Sequence, residues 1–390
     1  MKVLHVIPSL SPSLGGPTQV ALNLVRALCE GGVDAEIVTT NDDGPQLLDV
    51  PLGERVIYQE APVWFLPRFS PPLKEFIFSP AITAWLWQQV HKYDILDNHY
   101  LFSYAPTCAG AIARFQGVPY TVRTMGQLSP WALAQSRQKK QVYLKLIERH
   151  NLERAAAIHC TSGGEAQDVR NFGVKTPLVT LPLGVQPPMP YPNARQELRA
   201  SYGITAETPI VLFLSRLHYK KRPDVLLEAL VKVREQGYSF HAILAGSGTP
   251  EYELYLRDLV ESLQLGDRIS LPGLITGQAK EILLQGSDFF VLPSFSENFG
   301  IAVAEAMAAR LPVVITPGVQ IAPEIAEAEA GLVVESEVEP LTEAIVQLLQ
   351  SPPLRQRLGQ NGRALVDRRY SWNVIATQLT SAYKALLMRS

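Results

Sequence analysis

The sequence predicts an α/β protein of two doubly wound, Rossmann-like domains facing across a cleft. Three observations carry that expectation. The chain has 390 residues, more than one domain usually holds. Short apolar runs alternate with helical patterns, the signature of parallel βαβ units. The series also starts twice, each time with a buried strand followed by a loop-to-helix turn.

The first series opens with Val3–Ile7 as a strand, Thr18–Leu28 as a helix and Ala35–Thr39 as a second strand. Between strand and helix lies Gly15-Gly16-Pro17. The proline suits a first helical turn, and the glycines permit backbone that other residues avoid, so a ligand can approach closely. From Asn41 to Pro80 prolines and aromatics crowd together, and irregular structure with acceptor-recognition loops is expected there. The pattern resumes with strands at Asp94–Leu96 and Tyr120–Val122, a long helix from Leu133 to Ala157, and strands at Ala157–Cys160 and Leu178–Leu181. The helix carries Arg137, Lys139, Lys140, Lys145, Arg149 and Arg154 with few acids. Such a face is either solvated or able to rest on an anionic membrane.

Leu183-Gly184-Val185-Gln186-Pro187-Pro188 interrupts the pattern, which places the domain boundary at 184/185. The second series runs through strands at Ile210–Leu214, Ala242–Leu244, Ile269–Leu271, Phe289–Leu292 and Val313–Ile315. The two series share architecture and no sequence period.

Composition narrows the function. An apolar fraction of 47% and a charged fraction of 18% describe an ordinary globular chain, and a net charge of −2 argues against a general nucleic-acid binder. Cys29, Cys108 and Cys160 are far apart, show no metal-ligand spacing and suit a reducing cytoplasm. The N-terminal apolar run is too short for a signal sequence or a membrane span.

The chemistry-bearing stretches follow three strand ends of the second series, where open parallel sheets bind ligands. Arg216 and Lys221 leave the first strand and precede a helix. Two cations there suit a pyrophosphate, and they stabilise negative charge growing on a departing diphosphate without a metal. The cluster Lys220, Lys221 and Arg222 taken alone reads as a solvated turn. Gly246-Ser247-Gly248 follows the second strand. After the fourth, Glu297 lies in a loop and Asn298, Phe299 and Gly300 lead into a helix whose N–H groups favour an anion. Glu305 falls inside that Ala-rich helix, where a buried carboxylate needs a partner: a ribose diol or a structural salt bridge.

The ordered set Arg216-Leu217, Lys221, Gly246-Ser247-Gly248, Glu297 and Glu305 resembles the family 4 glycosyltransferases, retaining enzymes of the GT-B fold. The likeness runs from Gly15-Gly16 to Tyr370-Ser371-Trp372. It implies that Arg216 and Lys221 hold the diphosphate of a UDP-, GDP- or ADP-sugar, that Glu305 binds the ribose, and that Leu274 and Ile275 read the base through their backbone. Glu297, with the N–H groups of Asn298, Phe299 and Gly300, meets the transferred sugar. Gly15 and Gly16 approach the diphosphate from the acceptor-binding domain, residues 1–184, onto which the last helix, 372–390, packs back. Residues 185–371 bind the donor. No metal or further cofactor is implied, and the acceptor is a glycan, a lipid-linked species or a small molecule, with cell-surface polysaccharide assembly as context.

Two positions depart from the family. Met125, in Arg123-Thr124-Met125-Gly126-Gln127, stands where many relatives have histidine, and a thioether donates no hydrogen bond. His99, at another strand end, is the remaining candidate for a catalytic histidine. Arg222 stands where relatives have glycine. A nucleotide-sugar epimerase, a phosphorylase and a non-catalytic sugar-nucleotide binder are the competing readings; no pyridoxal-phosphate lysine is evident, and the joint presence of Arg216, Lys221, Glu297 and Glu305 favours transfer.

Overall fold

The computed structural model describes residues 1–14, 16–70, 77–134 and 147–389. The chain divides into two compact units, Met1–Gly184 with Trp372–Ser390, and Val185–Ser371.

The N-terminal unit is built on β1 (Lys2–Ser9), β2 (Asp34–Thr40), the small hairpin β3 (Asp42–Asp43) and β4 (Gln46–Leu47), β5 (Arg55–Tyr58), β6 (Ala61–Leu66), β7 (Ile95–His99), β8 (Tyr120–Arg123), β9 (Ala157–Cys160) and β10 (Leu178–Thr180). Eight of these form one sheet in the order β10-β9-β8-β7-β1-β2-β6-β5. All its neighbours pair parallel except β5 and β6.

The segment expected to be irregular, Asn41–Pro80, therefore contains sheet. The correction has a physical cause. Ala61–Leu66 is an apolar run whose Pro62 lacks an N–H, a deterrent to a central strand. Yet Pro62 lies outside the β2 ladder, which begins at Ile37 opposite Val63, and faces only the edge strand β5.

Of the expected helix 133–157, residues 135–146 lie outside the described residues, and the described part ends before Ala157. Described helix covers Pro130–Ala134 and Arg149–Arg154, and the chain must turn before β9 starts at Ala157. Arg149 pairs with Glu153 at 2.7 Å. Arg137, Lys139, Lys140 and Lys145 lie outside the described residues. No helix among the described residues is long and apolar enough to cross a membrane.

Alternation along the strands sorts side chains between the two faces of this sheet. Leu4, Val6, Leu96 and Val122 join an apolar core with Ile82 and Leu86 of the helix Pro80–Gln89 and Ala105 and Ala109 of the helix Tyr104–Gln116. The opposite face holds a buried polar row. His5 is in register with Asp97 and Asp97 with Thr121; His99 is in register with Arg123 and Arg123 with His159. Asp97 is the hub: Arg123 Nε donates to it at 2.8 Å, Thr121 Oγ1 at 3.0 Å, and the Tyr383 hydroxyl also donates. Tyr383 belongs to the C-terminal helix Trp372–Leu387, which packs against the helix Gly16–Glu30. Gly184 makes room for that return, since a Cβ there would meet the Trp372 ring at 2.3 Å.

The C-terminal unit carries β11 (Ile210–Leu214), β12 (His241–Ala245), β13 (Ile269–Gly273), β14 (Phe289–Leu292), β15 (Val313–Ile315) and β16 (Gly331–Val333) in the all-parallel order β13-β12-β11-β14-β15-β16. Renumbered from one, that is the 3-2-1-4-5-6 order of doubly wound nucleotide-binding sheets. Every residue of β11 and β14 is buried, as apolar runs covered by helices on both faces require. The order reverses between these two strands, the position at whose carboxyl edge open parallel sheets bind ligands.

The polar row makes the N-terminal unit acid-sensitive. Burial lowers His5 from 6.5 to about 4 and His159 to about 3, and His99 well below its usual value. The unfolded chain thus binds protons that the folded chain refuses. Stability is complete above pH 6.5 and declines as pH falls toward 4, by about 1.4 kcal/mol per pH unit for each histidine. Arg123 holds Asp97 down against burial, so its carboxylate contributes to acid loss only below its usual 3.8. Urea melts of the whole chain at successive pH values should show the decline beginning near 6.5; a flat profile down to pH 5 contradicts it.

Candidate functional site

The carboxyl edge of the C-terminal sheet gathers the donor residues expected from sequence. The loop leaving β11 is anchored by the one leaving β12: Ser215 N donates to Ala245 O at 3.1 Å and Leu217 N to Ser247 O at 2.8 Å. Glycine is required at both ends of Gly246-Ser247-Gly248. A Cβ on Gly246 would lie 1.8 Å from Ser215 O, and one on Gly248 2.3 Å from Leu217 O. Gly246, with φ 148°, thus supports the loop presenting Arg216. Arg216 is exposed, and no carboxylate among the described residues pairs with it.

A short turn, Tyr219–Lys221, follows, with the His218 ring accepting from Lys220 N at 3.1 Å. It buries Lys221 to 6% exposure and sets its ammonium on the Glu297 carboxylate. Burial, with Lys220 and Arg216 close by, pushes Lys221 down to about 7, while the Glu297 carboxylate acts in the opposite sense. An ammonium has three donors, so Glu297 leaves others for a second anion.

Glu297 is held through its backbone. Its N–H donates to Gly318 O at 2.8 Å, and its carbonyl accepts from Gln320 N at 3.1 Å. Phe295 N donates to Lys220 O at 2.8 Å, which stitches the loops after β11 and β14 together. The clamp Thr316–Gln320 was not anticipated from sequence. Its one local signal is Gly318, where a Cβ would sit 2.4 Å from Phe295 O.

Gly300, at φ 80°, starts the helix Ile301–Ala308, and buried Phe299 stands edge-on to Tyr370 at 5.5 Å. This aims the helix N-terminus, with Asn298 just before it, at the same edge. Leu274 and Ile275 follow Gly273, whose carbonyl accepts from Gly246 N at 2.8 Å; Leu274 is 70% exposed. Glu305 is half-buried, and its Oε1 accepts from Lys280 at 2.8 Å. The alternative of a structural salt bridge is therefore realised here, on one carboxylate oxygen.

The N-terminal unit places its candidates less simply. Gly16 begins the helix Gly16–Glu30, and Gly15 lies outside the described residues. His99 is 2% exposed in the polar row, with Nε2 and His5 Nδ1 3.1 Å apart. That geometry does not favour the catalytic role expected of His99: it is buried, kept neutral, and one ring nitrogen is taken.

His5, Asp97 and His99 bring ligand atoms within 4.8 Å of one another, a spacing a metal ion accepts. The Arg123 guanidinium and the Tyr383 hydroxyl already occupy the Asp97 carboxylate, so the cluster does not fit a cation.

Met125 sits in a left-handed turn, φ 48°, followed by Gly126 at 75°. Buried Glu165 clamps the turn, accepting from Gly126 N at 2.6 Å and Thr124 Oγ1 at 2.5 Å. On the next loop, Tyr100 and Phe102 are also left-handed, and Leu101 and Phe102 donate to Gln127 and to Glu148. These non-glycine residues are held in a costly conformation by bonds from outside their own loops. Glu165 and Glu148 escaped sequence reading because neither stands in a local motif.

Two family models match the chain: a glycosyl transferase 4-like domain over residues 15–184, and glycosyl transferases group 1 over residues 194–365. Among curated relatives, a D-inositol 3-phosphate glycosyltransferase of Xylanimonas cellulosilytica is 28% identical, covering 98% of this chain and 95% of its own. An α-D-kanosaminyltransferase of Streptomyces kanamyceticus is 28% identical over 49% of each chain. Among solved structures, sucrose-phosphate synthase of Thermosynechococcus elongatus superposes with a TM-score of 0.77 at 22% identity, covering 100% of both chains. Anabaena HepE, solved with UDP-glucose, gives 0.77 at 20% identity, covering 99% of this chain and 100% of its own.

Arg222 carries a cost of its own. At φ 54° and ψ 43° it occupies the left-handed cap before the helix Pro223–Glu235, a conformation glycine adopts freely. Its pair with Asp224, 3.2 Å on a partly exposed surface, offsets little. R222G should raise stability by about 1 kcal/mol, read as a higher urea midpoint at unchanged slope; a lower midpoint contradicts the strain.

Proposed function

Because this chain is a GT-B glycosyltransferase, pairing a 4-like N-terminal domain with a group 1 C-terminal domain, we propose that it transfers a sugar, with retention, from a nucleoside-diphosphate sugar held by its C-terminal unit. The observation that carries this reading is the buried Lys221 ammonium on Glu297, with unpaired Arg216 on the same loop. These cations stand at the strand-order reversal of a nucleotide-binding sheet. HepE, of the same fold, is solved with UDP-glucose, which supports the donor class.

In the proposed step the bond between the sugar's anomeric carbon and the diphosphate oxygen breaks, and a bond to the acceptor hydroxyl oxygen forms on the same face. The acceptor proton passes to the departing diphosphate. Lys221, Arg216 and the N-terminus of the helix Ile301–Ala308 stabilise the charge that grows there. Glu297, held by Lys221 and by the Gly318–Gln320 backbone, accepts hydrogen bonds from the sugar hydroxyls; Asn298, Phe299 and Gly300 offer N–H groups beside it. Leu274 and Ile275 meet the base, and Glu305 the ribose.

The acceptor is a glycan, a lipid-linked species or a small molecule, and cell-surface polysaccharide assembly is the proposed setting. The names of the full-length relatives make D-inositol 3-phosphate the first acceptor to test.

The test is turnover of UDP-, GDP- and ADP-sugars with an acceptor panel, the anomeric configuration read by NMR, for wild type and K221A. Retention is expected, and K221A should lose about 100-fold or more in kcat, the scale of removing one charge-stabilising donor. Inverted product removes the same-face scheme, and unimpaired K221A removes the assignment of Lys221.

A further inference from the structure

Glu305 has a partner that the donor reading does not use. It lies on the helix Ile301–Ala308 among Val303, Ala304, Ala306 and Met307, all buried to within 1% of complete. Its own side chain is 25% exposed. The Lys280 ammonium holds Oε1 at 2.8 Å, and no other described residue bonds to the carboxylate. Lys280 stands one turn into the helix Gly277–Gly286, which begins two residues after Ile275. One short helix therefore links the base-reading segment to the carboxylate assigned to the ribose. Glu281, next to Lys280, is the neighbouring acid; burial raises it and the Glu305 charge raises it further.

Resting on the donor reading, we propose that Lys280 is a positioning residue for Glu305: its ammonium fixes Oε1 and leaves Oε2 aimed at the paired hydroxyls of the nucleotide's ribose. The physical requirement is geometric. A glutamate has three rotatable bonds, and here its flanking residues are apolar, so neither its helix nor its neighbours fix the carboxylate plane. A charge-assisted hydrogen bond does so and offsets part of the cost of holding a carboxylate against an apolar wall. Without Lys280, Glu305 is left facing Glu281, and like-charge repulsion turns it toward solvent. The pair is partly exposed, so its contribution to stability is small. Its effect is selective for ligands that carry both ribose hydroxyls.

Calorimetric titration of wild type, K280Q, K280R and E305Q tests this, first with UDP, GDP and ADP, then with the best binder against its 2′-deoxy counterpart. Wild type should prefer the ribonucleotide. K280Q should bind it about tenfold more weakly, a loss of about 1.4 kcal/mol, with little change for the 2′-deoxy form and an unchanged melting temperature. K280R, which keeps the charge, should restore most of the preference. E305Q weakened with K280Q as wild type overturns the role of Lys280 alone. A wild type that ignores the 2′-hydroxyl, or an E305Q that binds as wild type, overturns the ribose assignment of Glu305 and this inference with it. A wild type that binds no nucleoside diphosphate overturns the donor reading itself.

Discussion

The contact between Lys221 and Glu297 organises the C-terminal unit's working edge. A buried ammonium without a partner is too costly to keep, so the loop leaving β11 must meet the loop leaving β14. These are the adjacent strands between which the sheet reverses its order. Much of the surrounding geometry serves that meeting. The Gly246-Ser247-Gly248 turn admits the β11 loop against β12, Phe295 binds Lys220 through the backbone, and Gly318 to Gln320 hold Glu297 from the far side. The result is an ammonium with donors to spare, on the same loop as an exposed Arg216.

A different constraint governs the N-terminal unit. Its sheet carries a polar row where a doubly wound sheet normally carries aliphatic side chains, and one carboxylate, Asp97, satisfies Arg123, Thr121 and Tyr383 together. Burial keeps the three histidines neutral, so a single negative charge balances a single guanidinium. The same arrangement ties the C-terminal helix to the unit in which the chain began. It also keeps His99 buried and neutral, and leaves the left-handed turns at Tyr100, Phe102 and Met125, clamped by Gln127, Glu148 and Glu165, at that sheet's carboxyl edge.

Most central strands were legible because a strand buried on both faces must be an uninterrupted apolar run, and Ile210–Leu214 and Phe289–Leu292 are such runs. The β5–β6 pair was not, because proline signals an edge or a break and only pairing partners reveal which. Arg222 was visible as a departure from the family, but its cost is a matter of backbone angle. Lys280 and Glu165 show no local period, since their bonds close over separations of 25 and 39 residues.

The sequence by itself determined the two-domain α/β class, the strand ends where Arg216, Lys221, Glu297 and Glu305 stand, and the glycines that let the loops close. Those properties follow from local pattern: apolar period, backbone permission and charge at a strand end. Only the tertiary structure decided that Lys221 rests on Glu297, that Lys280 takes one oxygen of Glu305, and that His99 turns into a buried polar row whose Asp97 meets Tyr383, 286 residues further along the chain. The physical reason is that a buried polar atom must find a partner wherever the fold brings one, and strand order and register, rather than sequence distance, set which partner that is.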